Sequence, residues 1–257
     1  MTKSIHNDYF GVPLGSHVPM LPPNWTPKVV AIDIDGTITD ENKKLHTEAV
    51  KALRRLEQAG IPVILATGNV RAIVYGLWRF IGLSGPMVCE NGGVVWHPDH
   101  GPPIKRGDGK EAQKAADWLS TQIDGLDPQG ITTNAWRESE WCLSVHEDLS
   151  EVVRMIQSSP WKHYDVVRTG FAIHLMEPQI SKGEGLKIAL KMLNLTPEDT
   201  LAIGDAPNDL PMFELAHWSI AVGGAFESVI NKSDHTSQLP HGEAIKPIVD
   251  AILETID

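Results

Sequence analysis

The stretch Val29-Val30-Ala31-Ile32-Asp33-Ile34-Asp35-Gly36-Thr37 decides the fold. Four apolar residues in a row read as a strand buried on both faces, the pattern of a parallel sheet. The run stops at two carboxylates two positions apart. Side chains alternate along a strand, so Asp33 and Asp35 point to one side if the strand persists. In open parallel sheets, ligands bind beyond the carboxyl ends of the strands. Neighbouring carboxylates repel unless one is protonated or a cation joins them. Gly36-Thr37 lets the chain turn there. A solvated strand end is the plain alternative. A calcium loop is excluded, because its fifth and twelfth positions would be Thr37 and Lys44.

Working outward, Ala49, Val50, Leu53 and Leu56 line one face of a helix, and Gly60 stands where a helix ends. Ile61–Ala66 is the next strand, ending at Thr67-Gly68. A helix over Val70–Ile81 leads to a third strand around Met87–Cys89. This alternation predicts a parallel sheet with helices on both faces. From about His100 to Glu177 the rhythm changes: helix Glu111–Ile123, strand-like Ile131–Val145, helix Leu149–Gln157, strand-like Val166–Leu175. Pro98, Gly101, Pro102, Pro103 and Pro178 mark its ends. The α/β rhythm resumes with a capping box, Ser181 as N-cap and Glu184 at N3. Leu186, Ala189, Leu190 and Leu193 follow at helical spacing, then strands at Leu201–Gly204 and Ile220–Val222. Ile245, Ile248, Val249 and Ile252 line a last helix. The expected architecture is α/β, a Rossmann-like parallel core over 28–99 and 179–257. An α+β module, 100–178, is inserted into it, and an irregular arm, 1–27, precedes it.

Composition bounds the rest. A chain of 257 residues with 42% hydrophobic and 21% charged residues is globular, not disordered. A formal net charge of −11 disfavours general nucleic-acid binding. No apolar run approaches the roughly 20 residues of a membrane span. The two cysteines form no CxxC and no disulfide framework, and residues 1–27 hold no apolar signal core. A cytoplasmic protein is expected. Oligomeric state is not legible.

A second acidic group, Gly204-Asp205-Ala206-Pro207-Asn208-Asp209, also follows an apolar strand. With Asp33 and Asp35, the oxygens of Asp205, Asn208 and Asp209 suit Mg²⁺; the absence of His and Cys disfavours zinc. Each group alone also reads as an acidic surface loop. Lys182 opens a helix, where N–H groups and a lysine favour phosphate. Thr67 offers a hydroxyl after an apolar strand. Gly107-Asp108-Gly109-Lys110-Glu111-Ala112 matches a loose dinucleotide pattern, but no apolar strand precedes it, so it reads as a turn. His97 and His100 read as a surface loop. Trp118, Trp136, Trp141 and Trp161 read as core of the inserted module.

Taken together, Asp33-Ile34-Asp35-Gly36-Thr37, Leu65-Ala66-Thr67-Gly68, Lys182, and Gly204-Asp205 through Asn208-Asp209 resemble the haloacid dehalogenase superfamily of phosphotransferases. The resemblance spans residues 28 to 257. The step of 115 positions from Thr67 to Lys182 places it with members whose α+β cap lies between the second and third motifs. A closer resemblance, to the archaeal-type phosphoglycolate phosphatases, rests on four segments. They are Ala66-Thr67-Gly68-Asn69, Ile81-Gly82 with Ser84-Gly85-Pro86, Glu90-Asn91-Gly92-Gly93-Val94, and Gly170-Phe171-Ala172-Ile173-His174.

The resemblance implies a Mg²⁺-dependent phosphomonoesterase acting on a small phosphorylated metabolite, with 2-phosphoglycolate the first choice. Asp33 is then the nucleophile and Asp35 the acid–base. Thr67, Gly68 and Lys182 hold the phosphoryl group; Asp33, Asp35, Asp205, Asn208 and Asp209 serve the metal. A sugar-phosphate phosphatase, a phosphomutase and a non-catalytic phosphate sensor are the competitors. Residues 100–178 hold 8 Lys+Arg and 12 Asp+Glu, a formal charge of −4. A substrate carboxylate therefore needs a specific partner, and a guanidinium fits best. Arg168 is the first choice and Arg137 the second.

Overall fold

The computed structural model describes residues 20–256. Strand β1 (Val29–Ile32) is wholly buried. Its odd and even residues face opposite layers, as period two requires. Val30 and Ile32 pack with α1 (Thr47–Gln58), which turns Ala49, Ala52, Leu53 and Leu56 inward and ends at Gly60, φ +81°. Strand β2 (Val63–Leu65), helix α2 (Arg71–Ile81) and strand β3 (Met87–Cys89) follow. The expected third parallel strand joins the main sheet only through an Ala66–Val88 bridge. It pairs antiparallel with β4 (Val94–Trp96), which pairs with β5 (Ile104–Lys105). This hairpin carries the core past residue 99, because the ladder closes over Pro98–Pro103. His97 is buried there, against the Trp78 ring and 3.1 Å from the Ser84 carbonyl, not in a surface loop.

The inserted module begins with α3 (Gly109–Ser120). A 3₁₀ turn, Thr132–Trp136, replaces the first part of the strand expected over Ile131–Val145. The Asn134 amide holds it, donating to the carbonyls of Gln129 and Cys142 at 2.8 and 2.7 Å. Strand β6 (Glu140–Ser144), helix α4 (Leu149–Gln157), and the hairpin β7 (Asp165–Arg168) and β8 (Ala172–Met176) complete an antiparallel sheet of order β6-β8-β7. One face, with Trp141, Leu143, Val166, Ile173 and Leu175, packs on α3 and α4; Trp136 stays exposed. The other face carries Glu140, Cys142 and His174, all fully buried.

Helix α5 (Lys182–Met192) keeps half of the expected capping box: Ser181 Oγ accepts from the Glu184 N–H at 3.2 Å, while the Glu184 carboxylate pairs with Lys187. Strand β9 (Thr200–Gly204), helix α6 (Leu210–Leu215), strand β10 (Trp218–Gly223), helix α7 (Glu227–Ile230), strand β11 (His235–Pro240) and helix α8 (Ile245–Leu253) close the fold. The main sheet is parallel, in the order β11-β10-β9-β1-β2. Val29 and Ala31 face α5 and α6; Val30 and Ile32 share the opposite layer with α1 and α8. Of the expected arm, residues 1–19 lie outside the described residues. Residues 20–27 pack on the core, with Trp25 Nε1 donating to the Glu198 carbonyl at 3.0 Å.

Core and module meet at Glu90. Its buried carboxylate accepts from the N–H of Glu138 at 3.0 Å, the N–H of Ser139 at 2.8 Å and the Ser139 hydroxyl at 2.8 Å. Burial pushes its carboxyl up to about 6. Arg71 and Lys105 clamp Glu138, each at 2.7 Å.

Candidate active site

Strand β1 ends at Ile32, so Asp33 and Asp35 sit in the loop beyond it rather than on a continued strand. The N–H groups of Thr37 and Ile38 return to the Ile34 carbonyl at 3.2 and 3.0 Å, which fixes the turn. Gly36 takes φ +88°, and a Cβ there would lie 2.5 Å from Asp205 Oδ2. Only glycine lets the two acidic loops approach this closely.

Asp33 keeps the odd parity of Val29 and Ala31, toward α5. Lys182, the first residue of that helix, meets it there: Nζ lies 2.6 Å from Asp33 Oδ1 and 2.5 Å from Asp209 Oδ1. The lysine is 1% exposed. Burial works against its charge, but Asp209 and Asp33 outweigh that and hold the ammonium well above the ordinary lysine range. Asp209 Oδ2 accepts from the N–H groups of Asp205 and Ala206, both at 2.9 Å. With both oxygens engaged, Asp209 orients Lys182 and the Asp205 loop. Asp205 accepts from the Thr37 hydroxyl at 2.9 Å.

Asp33, Asp205 and Asp209 each place an oxygen within 4.8 Å of the others. Burial raises the Asp33 carboxyl above the usual range, against the pull of Lys182. Burial, then repulsion from Asp209, lifts Asp205 to about 6. Such excess carboxylate charge around hard oxygens fits a divalent cation of the Mg²⁺ type. The Asp35 side chain stands apart from this trio, with Asn69 Nδ2 donating to its Oδ2 at 2.5 Å.

A cleft of about 270 Å³ opens above them. Its walls bring together Asp33, Asp35, Thr67, Gly68, Asp205 and Asn208 from the core with Thr169, Gly170 and Phe171 from the β7–β8 turn. Thr67 is buried, and its hydroxyl accepts from the Asn69 N–H at 3.1 Å. Asn208 Nδ2 donates to Asn91 Oδ1 at 3.1 Å. Arg168 does not line the cleft. It shares the helix-packed face of β7 with Val166 and donates to the Glu147 carbonyl. Arg137 is buried behind the cleft, paired with Glu140 and 3.2 Å from the Gly68 carbonyl. The cationic group on the walls is instead Lys43, with His241 also lining the cleft, neither visible as a site residue in the sequence. The Asp40 carboxylate holds the Lys43 loop, accepting from the N–H groups of Asn42 and Lys44 at 2.8 and 2.9 Å. His241 Nδ1 lies 2.8 Å from the Gly36 carbonyl, to which it donates. Asn69 had a signal, standing directly after Thr67-Gly68.

Comparison with known proteins agrees with this geometry. A family model described as haloacid dehalogenase-like hydrolase matches residues 30–122 and 142–246. The protein named phosphoglycolate phosphatase in Archaeoglobus fulgidus is 36% identical over 223 residues, 86% of this chain and 95% of that one. The protein of the same name in Methanothermobacter thermautotrophicus is 37% identical over 223 residues, 86% of this chain and 97% of that one. A crystal structure of a Thermoplasma acidophilum protein superimposes with a TM-score of 0.81 at 30% identity, covering 89% of this chain and 99% of that one. With the acidic loops, Lys182 and Thr67 gathered at the ends of β1, β2 and β9, the chain belongs to the haloacid dehalogenase-like hydrolases.

Proposed function

We propose that the protein is a Mg²⁺-dependent phosphomonoesterase that works through an aspartyl-phosphate on Asp33, with 2-phosphoglycolate as substrate. One observation carries the chemistry: the buried Lys182 ammonium bridges Asp33 and Asp209 behind a cleft lined by Asp33, Asp35 and Asp205. Asp33 attacks phosphorus and the ester P–O bond breaks. Asp35 gives its proton to the leaving oxygen, then takes one from the water that hydrolyses the intermediate. The Asn69 amide fixes the direction of that carboxyl. In this reading Lys182 and the Thr67 hydroxyl hold phosphoryl oxygens. Asp33, Asp205 and Asn208, with the charge of Asp209 behind them, would hold the Mg²⁺, which would supply neutralisation of the transferred group. Phosphoryl transfer asks for this kind of positioning and electrostatics.

EDTA is expected to silence the enzyme and Mg²⁺ to restore it, in a phosphate-release assay after dialysis. Asp205→Ala should raise the Mg²⁺ concentration for half activity by at least ~10-fold, since one hard ligand and one charge are gone. Protons compete for the same oxygens. A carboxyl raised to about 6 is protonated in the folded state before the unfolded one. Metal-free stability should therefore rise as pH falls from about 6 toward 4, while the Mg²⁺ requirement grows over the same window. Full activity in EDTA would refute the metal site.

The substrate reading rests on the relatives' name and on the cleft walls. A carboxylate two bonds beyond the phosphate ester oxygen needs a cation, and Lys43 supplies one. Lys43→Ala should raise KM for 2-phosphoglycolate ~10-fold and leave p-nitrophenyl phosphate within about twofold, because only the first has a carboxylate. Equal effects on both would remove Lys43 as the selector. Faster turnover of neutral sugar phosphates than of 2-phosphoglycolate would remove the substrate itself.

A further inference from the structure

Behind the roof of the cleft lies a buried polar cluster that no step above uses. Its centre is His174, fully buried on the core-facing side of β8. Nδ1 lies 3.0 Å from Glu140 Oε2, 3.3 Å from Cys142 Sγ and 3.3 Å from Asn91 Nδ2. Nε2 lies 3.0 Å from the Thr169 hydroxyl, and the ring meets Phe171 edge to face with centroids 5.2 Å apart. Glu140, Cys142 and His174 sit close enough for a metal ion. The pairing argues otherwise: both oxygens of Glu140 are already engaged, one by Arg137 and the other by His174.

The connections point elsewhere. Thr169 and Phe171 line the cleft; His174 does not. A Cβ on Gly68 would meet the Phe171 ring at 3.4 Å, so this ring lies over the Thr67-Gly68 turn. Within the roof turn, the Thr169 N–H and hydroxyl donate to the Ala172 carbonyl at 2.9 and 3.4 Å, the second a long contact, and Gly170 is exposed with nothing near its Cβ position. On its far side the imidazole touches Asn91, which accepts from Asn208. One rigid ring thus joins the roof of the cleft to the core loop beside Asn208. Buried polar networks hold one arrangement when their members are paired.

We propose that His174 is a positioning residue for substrate binding: it fixes the Thr169 hydroxyl and the Phe171 ring over the catalytic loops. The substrate feels it only through those two side chains. The proposal needs phosphatase turnover but not any one substrate, so p-nitrophenyl phosphate tests it separately from the phosphoglycolate reading.

The test is a double-mutant cycle in steady-state kinetics at saturating Mg²⁺, with p-nitrophenyl phosphate and 2-phosphoglycolate. An asparagine amide imitates Nδ1 and gives up the Thr169 contact; a glutamine amide imitates Nε2 and keeps it. His174→Asn and Thr169→Val should each raise KM ~10-fold with kcat within about threefold, the mark of lost binding. The double variant should be no worse than His174→Asn alone, since both remove one contact. His174→Gln should stay nearer wild type in KM. A role in stability alone would lower Tm with KM unchanged, or give additive effects on KM, and either result overturns the proposal. Should His174→Asn not fold, Thr169→Val decides: a raised KM supports it and an unchanged KM overturns it.

Discussion

Asp33→Asn is expected to cut turnover by ~10³-fold or more, the equivalent of about 4 kcal/mol of barrier, while leaving the fold intact. An amide cannot form the phosphoryl bond that the mechanism needs. Stability should hold or rise. Asp33 is buried beside Asp209 and Asp205, and burial with those two charges outweighs the pull of Lys182 on its carboxyl. Asparagine removes that repulsion and keeps the shape, and Lys182 retains Asp209 at 2.5 Å. A melting curve run alongside the assay separates lost chemistry from lost folding. A Tm well below wild type would contradict the electrostatic reading of this loop. Residual activity of more than a few per cent would remove Asp33 as the nucleophile.

Lys182→Met should do the opposite to stability. The lysine is 1% exposed and is the hydrogen-bonded counter-charge of both Asp33 and Asp209. Methionine fills the space and strands two buried carboxylates. Removing one partner of a buried pair costs about 3–5 kcal/mol. For a chain of this size that is roughly 10 °C in Tm. Activity should fall as far as in Asp33→Asn, because the proposed mechanism needs this ammonium to meet the phosphoryl oxygens. The pair of variants therefore dissociates the two quantities: both are inactive, and only one is unstable. Comparable Tm values for Lys182→Met and wild type, measured without metal, would show that the lysine is not the buried counter-ion described here.

Much of the site was legible because strands fix direction. Four apolar residues ending just before Asp33 place that carboxylate at the carboxyl end of the sheet, and the parity of Val29 and Ala31 carries on toward the helix that Lys182 opens. Leu201–Gly204 does the same for Asp205. The inserted module was less legible. Ile131-Thr132-Thr133 has strand propensity, but the Asn134 amide captures two carbonyls and makes a 3₁₀ turn. Local side-chain hydrogen bonds of this kind compete with sheet formation. Strand β11, His-Thr-Ser-Gln-Leu-Pro, has no apolar run because it lies at the edge of the sheet, with pairing only to β10.

Arg168 failed for a reason the alternation contained: it is two residues from Val166, so it shares the face that packs on helices and not the face toward the catalytic loops. Lys43 and His241 had no sequence signal. Both have positive φ, at +60° and +47°, in loops whose approach to Gly36 and Asp205 depends on the whole fold.

The proposed mechanism turns on a covalent intermediate on Asp33, which can be trapped. Asp35→Asn should still form the aspartyl-phosphate with a good leaving group, but it lacks the base that activates water, so the intermediate should accumulate. Acid quenching during turnover of p-nitrophenyl phosphate with Mg²⁺, followed by proteolysis and mass spectrometry, should find one phosphorylated peptide. That peptide should contain Asp33, and the double variant that also carries Asp33→Asn should yield none. Phosphate on any other residue, or Asp35→Asn turning over at the wild-type rate with no phosphopeptide, would contradict the account.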